Sequence, residues 1–329
     1  MTLRRLLVLA LLAWPLTGMT APLPAQVIVA YHDSWSEPPA TNPAQTSIAQ
    51  LPRYVDVLML AFARPDLVYA GDLDLTQTGL EYRHMTGAML RASIAALRQR
   101  HPNVKVLLSV GGATYRGWRR LNLDGIVALV RDLGLDGIDW DYEPNHPDCR
   151  TQADGRIACV TDRSWEALVT RGRAALPRPF LITVSAWSVG AYGQGAFAHA
   201  RPRSPYTGSM LGLLRSPYAK DIDLVSINAY DAGPTFNPLE AFQAYRAVWP
   251  GRLALGVEVR YADGTGPFLS LTQAEALAGT VARDPMGGMM LYAWLMKPPR
   301  DAGYSPDGTG LAGALCRGMA RTGCDGAMP

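Results

Sequence analysis

Eight short runs of apolar residues recur along the chain, and the intervals between them are long enough for a helix each. The runs start near residues 27, 55, 105, 137, 180, 224, 253 and 288 of the 329. Several are continuously apolar rather than alternating, which is typical of parallel strands covered on both faces. Strands that alternate with crossover helices predict an α/β fold, and a count of eight predicts a single-domain (β/α)8 TIM barrel.

Helical periodicity appears in three of the intervals. We predict helices over residues 85–99, 124–133 and 164–176, where apolar side chains recur at the spacing of one helix face. Gly134 follows the second helix and ends it, so this helix leads directly into the fourth strand.

The fourth apolar run carries acids at every second position. Read as a strand, it places Asp139, Asp141 and Glu143 on one face and apolar side chains on the other. Like charges this close repel, so at least one carboxyl group should retain a proton near neutral pH and could act as a proton donor. A cation site and a solvated acidic edge strand are the alternatives. Calcium loops, however, place glycine and carbonyl donors between the acids, not tryptophan and tyrosine.

The stretch Asp-Gly-Ile-Asp-Trp-Asp-Tyr-Glu resembles the Asp-x-x-Asp-x-Asp-x-Glu signature of family 18 glycoside hydrolases, the chitinases and their relatives. Asp136, Asp139, Asp141 and Glu143 occupy its four fixed positions. Some members of that family carry a small α+β insertion between the seventh and eighth strands. The corresponding interval is too short for one here, so we expect a barrel without it.

Shorter matches to the family follow at three earlier strands. Ser109-Val-Gly111-Gly112 matches its Ser-x-Gly-Gly, where the glycines permit a tight turn and the serine could hydrogen-bond the acids. Ala-Phe62 matches the end of its second strand. Ala-Tyr31 resembles the Gly-Tyr at the end of its first strand, where the tyrosine lines the sugar site, although a core tyrosine is the alternative.

Two further matches concern the sugar pocket. Tyr230-Asp231 resembles the end of the family's Met-x-Tyr-Asp, where the tyrosine hydroxyl contacts the substrate acetamido group. The chain departs from that pattern at Asn228, which stands where methionine or glutamine is common. Trp294 follows the last apolar run and resembles the tryptophan that forms the floor under the reacting sugar. A tryptophan in such a place is otherwise a core residue.

The resemblance implies a mechanism and a substrate class. Glu143 would protonate the leaving group, Asp141 would orient the acetamido group, Asp139 would share a proton with Asp141, and Tyr230 would hold the acetamido carbonyl. The implied partner is a polysaccharide or oligosaccharide containing N-acetylglucosamine in β-1,4 linkage, cleaved with retention by substrate assistance. No cofactor or metal ion is implied. Peptidoglycan, N-glycans and a non-catalytic, lectin-like role remain as alternatives.

The first residues have the features of a secretory signal peptide. Arg4 and Arg5 precede an uncharged run from residue 6 to 16, which is too short and too interrupted by proline to span a bilayer. Without these two arginines the formal charge falls from +3 to +1, with 29 basic against 28 acidic residues. That value favours neither nucleic acid nor an anionic membrane as a partner. We expect a monomer.

The cleavage site and the compartment follow from the same segment. Cleavage fits after Ala21 or Ala25, and we prefer the second because Pro22 would follow the first. The signal peptide is therefore predicted over residues 1–25 and the barrel over 26–329, in a secreted or periplasmic protein.

The four cysteines fall into two local pairs, and export permits disulfides. We favour the pairing Cys149–Cys159 and Cys316–Cys324 over the two crossed alternatives. Neither pair has the Cys-x-x-Cys spacing of a zinc site.

Overall fold

The computed structural model describes residues 21–303 and 305–325, and within these ranges eight parallel strands close into a barrel. The strands in chain order, including a separate two-stranded hairpin, are β1 (Ile28–Asp33), β2 (Val57–Ala63), β3 (Lys105–Gly111), β4 (Gly137–Asp141), β5 (Arg150–Thr151), β6 (Ile157–Ala158), β7 (Leu181–Trp187), β8 (Leu224–Asn228), β9 (Leu253–Glu258) and β10 (Gly287–Tyr292). The barrel closes in the order β1-β10-β9-β8-β7-β4-β3-β2. The predicted TIM barrel is confirmed, and each predicted strand begins within two residues of its observed start.

Helices cover the outside of the barrel. Within the described ranges they are α1 (Gly87–Arg100), α2 (Leu123–Asp132), α3 (Asp162–Ala175), α4 (Leu211–Arg215), α5 (Pro238–Arg246), α6 (Leu271–Val281) and α7 (Gly308–Gly318). The three helices predicted from periodicity are α1, α2 and α3. Side chains cap the first two at their N-termini, where Thr86 accepts from the Met89 amide and Asn122 from the Gly125 amide.

Alternate strand residues supply two apolar layers. Inward-facing side chains such as Met59, Leu107 and Met290 fill the barrel interior. Outward-facing ones pack under the helices and form a larger cluster. Trp140 of β4 belongs to this outer cluster and packs against Gly172 of α3, where an added Cβ would lie 3.1 Å from the indole nitrogen. The apolar face of the acidic strand is therefore covered by a helix, as predicted.

The hairpin β5–β6 lies in the loop that follows β4. Strands of only two residues give no periodic pattern in the sequence, so this hairpin was not predicted. The disulfide Cys149–Cys159 brackets the hairpin, and Cys316–Cys324 links α7 to the residues that follow it, so both expected local pairs are present.

Two further predictions concern the α+β insertion and the signal peptide. Residues 259–286, all described, contain α6 and its loops, so no α+β insertion separates β9 from β10. Most of the predicted signal peptide lies outside the described residues. Among those described, no helix is both long and apolar enough to cross a membrane.

Candidate active site

Asp139 lies at the centre of the barrel mouth and is surrounded by hydroxyl groups. Its side chain is fully buried. It accepts hydrogen bonds from Tyr31 and Ser109 at 2.8 Å each and from Thr183 at 2.6 Å. The strand register explains this, because Ser109 of β3 and Thr183 of β7 are paired with Asp139 on either side. Burial raises the pKa of Asp139, and the hydroxyl donors offset part of that rise.

Asp141 is two residues further along β4 and has fewer partners. It is 4% exposed, and among the described residues no group hydrogen-bonds its Oδ1 atom. Its pKa is raised well above the usual value, first by burial and then by the charges of Glu143 and Asp139. The Asn228 side chain approaches Asp141 and lowers the pKa in part. Burial and the two neighbouring acids therefore both favour the protonated form of Asp141.

Glu143 lies just beyond the end of β4, at the entrance of the mouth. Burial raises its pKa to about 7; the nearby Arg116 guanidinium lowers the value and the Asp231 carboxylate raises it. Arg116 also donates a hydrogen bond to the Glu143 backbone carbonyl. A carboxyl group with a pKa near neutral can both give and take a proton at that pH, as general acid–base catalysis requires.

Two glycines let the neighbouring strand approach these acids. Gly111 has a φ of 116°, and an added Cβ would lie 2.2 Å from the Asp141 carbonyl oxygen. Gly112 donates its amide to that same carbonyl at 2.9 Å, and an added Cβ would lie 3.1 Å from the Phe62 ring. Side chains at either position would push β3 away from β4 or from β2.

Tyr230 and Asp231 follow β8 and face the acids from the side. The Tyr230 hydroxyl donates to Asn228 at 3.2 Å, and the charge of Asp141 contributes to its raised pKa after burial and the charge of Tyr31. Asp231 has a φ of 50° and accepts the Thr265 amide at 2.8 Å, which anchors its turn. Asn228, the departure from the family pattern, therefore contacts both Tyr230 and Asp141.

Aromatic rings line the part of the mouth formed by the first, second and last barrel strands. Phe62 stacks on Trp35 with ring centroids 6.3 Å apart and lies 6.2 Å from Tyr292. Tyr292 in turn stacks on Tyr230 at 5.8 Å, with 19° between the ring planes. Trp35, Phe62 and Tyr292 also line a cavity of about 200 Å³ beside the acids. These rings offer flat apolar surface that suits a pyranose face.

On the last strand, the sequence favoured Trp294 as the ring beside the sugar, but the structure places the Tyr292 ring nearer the acids. Trp294 is 3% exposed and belongs to the outer apolar cluster. Tyr292 is the residue beside the acids, since the charges of Asp141 and Glu143 contribute to its raised pKa after burial. The difference arises because β10 ends at Tyr292, and the alternation of inner and outer side chains does not continue to Trp294.

Two other residues predicted from the sequence lie away from the surface of the cleft. Tyr31 is 1% exposed and its hydroxyl contacts Asp139, so it lies beneath the acids rather than on the surface of the cleft. Asp136 lies at the opposite end of β4, where it accepts the Val106 amide at 2.8 Å and pairs with Arg98 at 2.7 Å. Its contacts join α1, β3 and β4 and do not reach the mouth.

Glu258 is a further acid of the mouth, and it was not among the residues predicted from the sequence. It is the last residue of β9 and the register partner of Tyr292. It is 3% exposed, and among the described residues neither of its carboxyl oxygens has a hydrogen-bond partner of normal geometry. Burial, then the charge of Asp231, raises its pKa to about 8, although the Asp231 amide lowers it slightly. An acid that ends an apolar barrel strand was the available signal.

The structure thus brings most of the predicted residues together at one end of the barrel. Asp141 lies within electrostatic range of Asp139 and Glu143, burial raises the pKa of all three acids, and aromatic rings flank them. The residues gathered there are Tyr31, Phe62, Ser109, Gly111, Gly112, Asp139, Asp141, Glu143, Tyr230 and Asp231.

Comparison with known proteins places the sequence in a family context. The model of glycosyl hydrolases family 18 matches residues 27–201. A chitinase of Plasmodium falciparum is 30% identical over 129 residues, which is 36% of this chain and 32% of that protein. Exochitinase 1 of Streptomyces olivaceoviridis is 30% identical over 135 residues, which is 38% of this chain and 22% of that protein. The alignments therefore span a third or less of these relatives.

Solved structures share the fold at low sequence identity. A family 18 chitinase from Pseudoalteromonas aurantia superimposes with a TM-score of 0.60 at 19% identity, covering 89% of this chain and all of that one. A chitinase-like agglutinin from Robinia pseudoacacia superimposes with a TM-score of 0.56 at 15% identity, covering 88% of this chain and 99% of that one. The shared architecture is therefore found in both a chitinase and an agglutinin.

Proposed function

Since the chain belongs to the glycosyl hydrolases of family 18, we propose that it is a glycoside hydrolase that cleaves β-1,4 linkages in glycans containing N-acetylglucosamine. The observation that carries the proposal is the set of acids Asp139, Asp141 and Glu143 at the barrel mouth, where burial raises the pKa of each. A barrel that only bound sugar would have no need to bury repelling carboxyl groups beside the cleft, which costs stability.

Glu143 is the proposed general acid and base. It is the outermost of the three acids, and its pKa of about 7 leaves a large protonated fraction at neutral pH. It would donate that proton to the leaving oxygen and then, as a carboxylate, take a proton from the incoming water.

Asp141 and Asp139 are the proposed stabilisers of the intermediate. The buried Asp141 would orient the N–H of the 2-acetamido group and stabilise the positive charge that develops when the acetamido oxygen attacks the anomeric carbon. Asp139, held by three hydroxyl groups, would share a proton with Asp141 and so adjust its charge. Tyr230 would hold the acetamido carbonyl in line, and the product would retain its anomeric configuration.

The proposed substrates are chitin or chitooligosaccharides, which supply the required 2-acetamido group. Two relatives bear the name chitinase. In place of the sequence-based choice of Trp294, we propose Tyr292 and Phe62 as the rings under and beside the reacting sugar. The two disulfides support the further proposal that the chain is exported to an oxidising compartment.

Replacement of Glu143 by Gln tests the proposal. The amide keeps the shape of the side chain but cannot donate the catalytic proton, so kcat on a soluble chitotrioside with a chromogenic leaving group should fall by about 10²- to 10⁴-fold. Glu166→Gln on α3, outside the mouth, is the matched control and should retain wild-type turnover. Near wild-type kcat for Glu143→Gln would remove Glu143 from the acid role. A wild-type protein that binds chitooligosaccharides without cleaving them would instead indicate an agglutinin-like function.

A further inference from the structure

Charge is distributed unevenly among the loops around the mouth. The loops after β3 and β7, residues 112–122 and 188–210, contain five arginines and no acidic residue. The loop after β2, residues 64–86, contains four acidic residues and two arginines. Because β3, β4 and β7 are neighbours in the barrel, the basic loops lie on either side of the loop that carries Glu143. One side of the mouth is therefore basic although the whole chain is nearly neutral.

Most of these arginines have no carboxylate partner. Arg120 pairs with Asp66, and in the loop after β4 Arg156 lies 3.8 Å from Asp154. Among the described residues, no carboxylate oxygen lies within 4.0 Å of the remaining arginines of the three loops, which are Arg116, Arg119, Arg150, Arg201 and Arg203. A guanidinium group without such a partner keeps its paired donors available for an anion.

Two of the arginines line the same cavity. This arginine cavity, about 320 Å³ in volume, lies between the β5–β6 hairpin and the loop after β7, and Arg150 and Arg203 both contribute to its lining. Arg203 donates one hydrogen bond to a backbone carbonyl of its own loop. Asp148 also lines the cavity, but no salt bridge joins it to either arginine in the described part of the chain. The side chain of Ile157 packs closely over Gly208, which fixes the hairpin against the loop.

The arginine cavity adjoins the proposed catalytic acid through Tyr206. The residues on both sides of Tyr206 in the chain, Pro205 and Thr207, line the cavity. The Tyr206 ring stacks on Trp187 with centroids 3.7 Å apart. After burial, the charge of Glu143 contributes to the raised pKa of Tyr206. Trp187 ends β7, which pairs with β4, so Tyr206 and the cavity next to it in the chain lie on the side of the mouth where Glu143 follows β4.

We propose that the arginine cavity binds a carboxylate carried by the leaving-group sugar of the substrate. The inference rests on the proposed function, since it takes Glu143 as the acid that protonates the leaving oxygen. The sugar on the Glu143 side of the bond is the leaving group, and the cavity lies on that side, among the loops after β4 and β7. Tyr230 and Tyr292, proposed around the reacting sugar, follow β8 and β10 instead.

The chemistry of the ligand follows from the mechanism and the charge together. The reacting sugar must carry a 2-acetamido group, and the next sugar should carry an acid in reach of two guanidinium groups, which bind carboxylates through parallel N–H donors. Alternating N-acetylglucosamine and N-acetylmuramic acid, as in peptidoglycan glycan strands whose stem peptides have been removed, meets both conditions, because removal of the peptide leaves the lactyl ether of muramic acid ending in a free carboxylate. Neutral chitooligosaccharides meet only the first.

The kinetic test compares carboxylated and neutral substrates of equal length. Peptide-free peptidoglycan glycan strands, prepared with an amidase that cleaves the lactyl–peptide bond, and chitooligosaccharides are assayed with the wild type and with Arg150→Gln/Arg203→Gln. Arg91→Gln/Arg283→Gln is the matched control, on α1 and at the other end of the barrel. We expect the wild type to favour the carboxylated strand in kcat/KM. In the Arg150/Arg203 variant the ratio of the two kcat/KM values should fall about tenfold, the sum of two partly exposed charge pairs. An equal ratio in wild type and variant overturns the proposal.

A binding test separates this inference from the proposed function. The inactive Glu143→Gln protein is titrated calorimetrically with each glycan at low and at physiological salt, with and without the two arginine substitutions. Tighter, salt-sensitive binding of the carboxylated strand that is lost with the arginines supports the inference even if the wild type hydrolyses neither substrate, an outcome that would refute only the proposed function. If polyglutamate binds as tightly as the carboxylated strand, the arginines form a general anion patch and the inference fails.

Discussion

At the scale of single residues, the proton on Glu143 connects the structure to the expected pH dependence. Glu143 must be protonated to act as an acid, and its pKa is about 7. The value results from burial, which raises the pKa, and from the Arg116 charge, which lowers it. In the proposed mechanism, catalysis near neutral pH would therefore depend on an exposed arginine that need not touch the substrate.

We predict that kcat/KM declines as the pH rises above about 7, because deprotonated Glu143 cannot donate. Arg116→Gln removes the positive charge that lowers the pKa of Glu143, so the decline should move to higher pH by a fraction of a pH unit. The profile of kcat/KM between pH 4 and 9 measures both effects, with Arg91→Gln as the control. A decline that stays in place, or moves to lower pH, contradicts the assignment of Arg116 as the group that lowers this pKa.

The effect of a buried acid on the free energy of unfolding can be measured at Glu258 separately from catalysis. Its pKa is about 8 in the folded chain against an ordinary value of 4.5. The folded state thus holds the proton more tightly than the unfolded state, so this residue lowers stability progressively as the pH rises from about 4.5 to about 8. At roughly 1.4 kcal/mol per pKa unit, the full penalty is at most about 5 kcal/mol.

Glu258→Gln should therefore raise Tm by several degrees at pH 9 and leave it nearly unchanged at pH 4, since the amide cannot ionise. Thermal unfolding followed by circular dichroism at both pH values measures the difference. Glu166→Gln, a change of the same kind on α3, should show no such dependence on pH. An equal shift at both pH values would mean that packing, and not the charge of Glu258, determines its effect.

At the scale of elements, the buried barrel strands could be located from the sequence, whereas the two-residue strands of the hairpin could not. Continuous apolar runs mark strands covered on both faces, so barrel strands such as β2 and β9 were located within two residues. The hairpin β5–β6 has only two residues per strand, exposed in β5 and partly buried in β6, so no hydrophobic pattern could mark it. Its position depends on a disulfide and on the contact of Ile157 with the loop after β7.

The acids of the site were predictable because period-two spacing within one strand survives folding. Contacts between different strands were not predictable from the sequence. Thr183 reaches Asp139 only because β7 pairs with β4 in a particular register, and no spacing within the chain encodes that register. Trp294 was favoured by its position in the order of the chain. However, β10 ends at Tyr292, and it is Tyr292 that lies at the site.

The disulfide Cys149–Cys159 should contribute both stability and local order. Replacing both cysteines by serine removes a crosslink across 10 residues, and the loop-entropy model gives a loss of about 2–3 kcal/mol in the free energy of unfolding, measured in urea. The matched control, Cys316→Ser/Cys324→Ser, opens a loop of 8 residues and should cost a similar amount. Only the first change should lower the preference for carboxylated glycans, because only that disulfide holds Arg150. If the two variants show the same preference for carboxylated glycans, the hairpin has no part in substrate selection.

At the scale of the whole molecule, the two ends of the barrel have different tasks. The carboxyl ends of the strands gather the acids, the aromatic rings and the arginine cavity. The opposite end holds contacts that close the barrel, such as Arg98 with Asp136 and Arg173 with Asp223. Such a division is usual in TIM barrels, where substitutions at the closed end affect stability more than catalysis.

The residues just before β1 contribute to that closed end, and this bears on the choice between the two cleavage sites predicted from the sequence. Leu23 is 7% exposed and belongs to the inner apolar cluster, and Arg252 donates to the carbonyls of Leu23 and Pro24 at 2.7 Å each. Cleavage after Ala25, the site favoured by the sequence, would remove these contacts, whereas cleavage after Ala21 would keep them.

We predict that a chain beginning at Pro22 is more stable than one beginning at Gln26 by about 2–4 kcal/mol, the usual effect of losing a buried leucine and its neighbours. Urea unfolding of the two purified chains measures the difference. Leu23→Ala in the longer chain should reproduce most of the loss, because the backbone contacts of Arg252 remain. Turnover at saturating substrate should be the same in all three proteins, since the acids lie at the other end of the barrel. Equal stability of the two chains would show that β1 closes the barrel without help from the residues before it.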